Sequence, residues 1–186
     1  MNGSNGGRYD IATYGTLCKL LVTVVTVAWW AWLPEVGFRP GGTIWEHLLW
    51  PLSHANVWHL AGNLWVLWWL KGRLHLREAY VIAVLCGFMP VLPGVWDIAG
   101  GETAATCGFS GVLCAVIGVK WGAWCGGCHG GCHGMTAYGT FCRRVLPFVA
   151  AGALIPHVNW SIHLYCLLAG LLYGRAAAPP QHSERR

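Results

Sequence analysis

The chain alternates long apolar stretches with short polar breaks. The stretches run over roughly 14–33, 56–70, 79–96, 108–124, 145–157 and 160–174. A membrane-spanning helix needs about 20 residues, so this pattern predicts six spans joined by short loops. Several stretches fall short of that length, which predicts helices that begin or end inside the bilayer thickness. No small-residue cleavage site follows the first stretch, so it reads as a retained helix rather than a signal peptide. The connector 34–54 is longer than the others and holds Trp45, Leu48, Leu49 and Trp50 beside Glu46 and His47. That mixture suits a segment lying in the outer interface. The expected fold class is an all-α polytopic membrane protein built as a six-transmembrane-helix bundle. It has a short segment at 1–13, a core at 14–175 and a polar tail at 176–186.

Composition sharpens this picture. Of 186 residues, 55% are hydrophobic and 10% are charged, against about 25% charged in a soluble domain. Such a chain is not disordered, not a basic nucleic-acid-binding domain and not an ordinary cytosolic enzyme. Many of its 13 Trp lie near the ends of apolar runs, as in the aromatic belts at membrane interfaces. Four cysteines inside the apolar runs, Cys18, Cys86, Cys114 and Cys166, read as small packing residues.

Charge orients the bundle. With six spans and the N-terminus inside, Arg39 is the one basic residue on the outer side, and the other eleven of the 12 Lys and Arg face inward. By the positive-inside rule both termini are expected in the cytoplasm. Lys19 falls within the first stretch and is expected to snorkel to the inner surface.

Polar side chains inside membrane helices are costly and point to function. The second span opens with His54, His59 and Asn63, the fourth with Gly108, Phe109, Ser110 and Gly111, and the sixth with His163. His59 and Asn63 are four apart and share a helix face. In the six-span topology all these groups lie at one depth, toward the outer side. Each alone has a structural reading, as a backbone-bonded serine or a packed histidine. Their shared depth favours a joint catalytic site. Along span four, Ser110, Cys114, Gly118 and Gly122 recur every four residues, and along span six so do Cys166, Gly170 and Gly174. Such small-residue faces let two helices approach closely, close enough to bring Ser110 and His163 within bonding reach.

These motifs resemble those of the rhomboid intramembrane serine proteases. The likeness rests on His54-x4-His59-x3-Asn63, on Gly108-Phe109-Ser110-Gly111 as a GxSG motif, and on His163 heading a small-residue helix, and it covers roughly residues 14–175. Val112 stands where the nucleophile elbow of soluble hydrolases has its second glycine. The chain departs from the family in carrying Cys166 where a glycine is usual. It also lacks a Trp-Arg pair in the first outer loop, where Phe38 precedes Arg39, and has Lys71 where many members are acidic. The resemblance implies a rhomboid-like bundle with Ser110 as nucleophile and His163 as general base, a dyad without an acidic third member. Oxyanion donors would come from His59, Asn63 and the Ser110 backbone N–H. Gly108 and Gly111 would support the turn, and His54 would brace the first loop or add a donor. The expected substrates are transmembrane segments of other membrane proteins, cleaved in a bacterial or archaeal cell membrane with the site facing outward. No cofactor and no nucleic-acid partner is expected. The competing readings are a catalytically inactive rhomboid-like chaperone and a small histidine-lined transporter. Pro147 and Pro156, with the loop from Pro156 to Trp160, are candidates for a mobile gate and cap.

One feature lies outside the family pattern. Cys125, Cys128, His129, Cys132 and His133 fall within nine residues interspersed with glycine. Thiolates and imidazoles at this spacing suit zinc. The Cys-x-x-Cys-His string also matches a c-type haem signal, but its inner-side placement disfavours that reading. A flexible linker that binds nothing is the leading expectation.

Overall fold

The computed structural model describes residues 6–32, 36–39, 41–92, 105–127 and 158–178. Among these residues the chain is helical, with no strand and one isolated antiparallel bridge between Phe38 and Thr106. The helices are α1 (Gly6–Trp32), α2 (Ile44–Leu49), α3 (Val57–Trp69), α4 (Leu76–Cys86), α5 (Ser110–Gly127) and α6 (Trp160–Ala176), with a 3-10 turn at Trp50–Leu52 after α2. Five of the six expected apolar runs thus appear as helices. The run 145–157, with Pro147 and Pro156, lies outside the described residues.

Helix α5 is the axis of the bundle. Residues 111–119 are buried on every side, as expected of a helix apolar all round its circumference. Its closest partner is α6, and the reason is steric. A Cβ at Gly118 would fall well within 3.0 Å of the Leu167 carbonyl oxygen, and one at Gly122 would do the same at Leu171. In return, Gly170 faces the Ala115 carbonyl and Gly174 that of Val119. The two backbones therefore touch where the four-residue glycine spacing predicted. Cys114 and Cys166 are buried between them, and Cys86 of α4 joins the same core.

Helix α1 stands apart. Most of its apolar side chains are exposed, and Thr13–Trp32 is the one described helix long and apolar enough to cross a membrane by length and composition alone. Helix α3, at 13 residues and 1.5 Å per residue, is about 20 Å long. It is well short of a hydrocarbon core of about 30 Å, as the short apolar run implied.

Lysines tie the far end together. Lys19 Nζ donates to the carbonyls of Leu70 and Trp68, the latter at 3.3 Å, and sits 5.7 Å from the Trp68 ring centroid. Lys120 Nζ donates to the carbonyls of Lys71 at 2.6 Å and Arg73 at 3.2 Å. The carbonyls at and just after the end of α3 have no partner within that helix, and these two cations satisfy several of them. Lys19 thus reaches the α3–α4 connection.

Two details differ from expectation. Helix α4 starts three residues earlier than the apolar run and stops at Cys86, where a turn follows and the Gly87 N–H bonds the Ala83 carbonyl at 3.0 Å. In the connector, Trp45 is 65% exposed as an interfacial residue would be, but Trp50 is fully buried. The Trp50 ring fills the space left by the missing side chains of Gly111 and Gly87, so it belongs to the core rather than to the outer interface.

The glycine contact gives a test. Gly174→Val should wedge α5 from α6 and lower stability by about 1–3 kcal/mol, read as a lower unfolding midpoint in detergent. Leu168→Val, on an exposed part of α6, should leave the midpoint nearly unchanged.

Candidate active site

Three helices begin at the same end of the bundle. The α3 start is capped by Asn56, whose side-chain oxygen accepts the His59 N–H at 2.9 Å. Helix α5 begins at Ser110 itself. The α6 start is capped by Asn159, whose oxygen accepts the N–H of Ile162 at 3.3 Å and the Ser161 hydroxyl at 2.7 Å. Each helix start carries partial positive charge and free N–H groups, so this end of the bundle favours a negative group.

At that end the Ser110 hydroxyl and His163 Nε2 are hydrogen-bonded at 2.7 Å. Residues 53 apart in sequence meet because α5 and α6 are in backbone contact below them. Both side chains are half-buried, so the pair stands at the edge of the packed core. No carboxylate bonds to His163 among the described residues.

The turn before Ser110 is set by Gly108, at φ +116°, a region that side chains rarely tolerate. Space forbids a side chain there as well. A Cβ would lie 2.5 Å from His59 Cε1 and Nε2 and 3.4 Å from Asn63 Nδ2. The shared face of His59 and Asn63 therefore abuts the serine turn. Asn63 is buried, and its amide nitrogen finds no acceptor among the described residues. A buried amide donor normally has a partner, and this one is poised beside the turn that carries the Ser110 hydroxyl.

His54 has a different task. It is 1% exposed and lies in the loop ahead of α3. Its Nδ1–H donates to the Leu52 carbonyl at 3.2 Å, which leaves Nε2 to accept the Phe109 N–H at 3.4 Å. Both nitrogens are engaged, and this arrangement requires a neutral ring. Burial, with the neighbouring His59, lowers its pKa to about 4. Between the brace and the added donor, the hydrogen bonds favour the brace.

Four residues to which the sequence analysis gave no place in the site, Trp50, Phe38, Thr106 and Asn159, complete its surroundings. The Trp50 carbonyl accepts the Gly108 N–H at 3.0 Å, and the Trp50 ring packs where a Gly111 side chain would otherwise be. Thr106 and Phe38 exchange two backbone hydrogen bonds of 2.8 Å, which fixes the chain just ahead of Ser110. Asn159 donates to Thr106 Oγ1 at 2.6 Å. Only Asn159 left a readable trace, as a capping residue just before an apolar run. Cys128, His129, Cys132 and His133 lie outside the described residues, and Cys125 stands near the end of α5. Among the described residues no group of three or more potential ligands could hold a metal ion.

The His54 arrangement has a pH consequence. An ordinary histidine titrates near 6.5, so between that value and about 4 the unfolded chain takes up the proton more readily than the folded one. The stability this confers is complete above pH 6.5 and is lost as pH falls toward 4. Replacing His54 by Gln should lower stability at pH 7 and flatten this acid-side loss, as measured by unfolding midpoints across pH 4–8.

The comparisons with known proteins come to one match. The family model for the Rhomboid domain matches residues 41–180, a stretch that holds Ser110, His163, His54, His59 and Asn63. No curated protein and no solved structure matches the chain.

Proposed function

The chain belongs to the rhomboid family and is an integral membrane protein, and from that premise we propose that it is an intramembrane serine endopeptidase. The observation that carries the reading is the 2.7 Å hydrogen bond between Ser110 Oγ and His163 Nε2. Such a bond is what a serine needs for activation by an adjacent base. An inactive relative that only binds membrane proteins has no need of it.

The steps follow from the geometry. Ser110 Oγ attacks the carbonyl carbon of a substrate peptide bond, and its proton passes to His163 Nε2. Negative charge collects on the former carbonyl oxygen. The Ser110 N–H at the start of α5, the Asn63 amide and the His59 ring are the donors for it, aided by the three helix N-termini. His163 then protonates the leaving amine, the C–N bond breaks, and an acyl-Ser110 ester remains. Water, deprotonated by His163, hydrolyses that ester and restores the serine.

The membrane setting follows the same logic. We read the chain as six spans with both termini cytoplasmic. The excess of Lys and Arg at the end away from Ser110 supports an outward-facing site. Short helices support it too, since a helix of about 20 Å leaves its N-terminal end below the membrane surface, where a cavity can hold water. The substrate is a transmembrane segment of another protein. It must unwind locally to bring its backbone to Ser110, so helix-weakening residues near its outer end should favour cleavage.

The test uses proteoliposomes with a model transmembrane substrate and a fluorophosphonate probe. Cleavage and labelling are expected for the wild type, and both should vanish in Ser110→Ala. Asn63→Ala should keep the fold and lose about 10²–10³-fold in kcat, as removal of an oxyanion donor does elsewhere. Undiminished cleavage by Ser110→Ala would refute the assignment.

A further inference from the structure

No carboxylate bonds to His163 among the described residues, so other contacts there must orient its ring. The glycine contacts between α5 and α6 do not reach the reacting pair. Gly118 meets Leu167, four residues beyond His163, and Gly170 meets Ala115, five beyond Ser110, about 6–8 Å along the helix axes. Over that lever a tilt of about 8–10° moves the His163 ring by about 1 Å, a misplacement able to cost about 10²-fold in rate. His163 also sits in the first turn of α6, close to the end, where helices fray.

The hydrogen bond from Asn159 Nδ2 to Thr106 Oγ1, at 2.6 Å, lies at the other end of that lever. Asn159 stands four residues ahead of His163, and Thr106 four ahead of Ser110. The bond therefore joins the same two chain segments as the reacting pair, one helical turn's worth of sequence earlier on each. Neither partner is loose. Thr106 is buried and held by its two backbone bonds to Phe38. Asn159 Oδ1 is occupied by Ile162 and by the fully buried Ser161. Both functional groups of the amide are thus engaged, one on its own helix and one across the gap.

We infer that the Asn159–Thr106 hydrogen bond holds the first turn of α6 against the Ser110 turn, which makes Asn159 and Thr106 positioning residues for the hydrolytic step. The inference rests on the protease reading above and adds a specific tie between the two halves of the dyad.

Two substitutions break this bond in different ways. Thr106→Val keeps the shape and removes the acceptor. Asn159→Ser retains a hydroxyl able to cap α6 but is too short to reach Thr106. Each should lower kcat about tenfold toward the transmembrane substrate with KM unchanged, and should slow fluorophosphonate labelling of Ser110 in parallel. Thr106→Ser, which keeps the oxygen, should restore most of the rate. The double variant should lose no more than either single one, since both remove the same bond. Unfolding midpoints identify any variant that has lost its fold, and the remaining variant then carries the test. Wild-type kcat in the single variants, or losses that multiply in the double, would overturn the inference. A wild type that neither cleaves nor labels would overturn the protease reading itself, and the inference with it.

Discussion

The arrangement depends on the direct backbone contact between α5 and α6. Gly118, Gly122, Gly170 and Gly174 each leave room for a carbonyl of the opposite helix, and no side chain separates the two axes there. In a bilayer, where lipid is as apolar as leucine, helices gain little from hiding hydrophobic surface against each other. Close packing of small residues supplies the association instead. Because both helices begin at the same end, this contact carries Ser110 and His163 to one level and within bonding reach.

What surrounds the pair follows from a second constraint, the scarcity of charge. With few acidic residues and none bonded to His163 among the described residues, the site relies on neutral groups. Helix starts supply partial positive charge, and Asn63 supplies an amide donor whose partner in the protease reading is the transient oxyanion. His54 is engaged at both ring nitrogens and braces Phe109, while Gly108 keeps His59 and Asn63 close to the Ser110 turn. The family match over residues 41–180 includes all of these groups.

The sequence exposed the candidate site residues better than their supports. Ser110, His163, His59 and Asn63 are polar groups in apolar runs, which is costly enough to be conspicuous, and the four-residue glycine spacing announced which helices touch. Trp50 was misread as interfacial because tryptophan suits a membrane boundary and a core equally well. Only the three-dimensional position of Gly87 and Gly111 reveals the slot it fills. Thr106 and Asn159 were missed for a related reason. Their bond spans 53 residues, and nothing in either local segment points to the other. Helix α4 ended earlier than its apolar run because hydropathy does not report the turn that follows Cys86.

The central claim is that the spacing of α5 and α6 sets the geometry of the serine–histidine pair. It is tested most directly by a graded series at Gly170, with Ala, Val and Leu in turn, reading the second-order rate of Ser110 labelling by a fluorophosphonate on protein shown to remain folded. The account predicts a rate that falls stepwise with side-chain size, as the Ala115 carbonyl is pushed away. A labelling rate that stays constant across folded members of the series would contradict it.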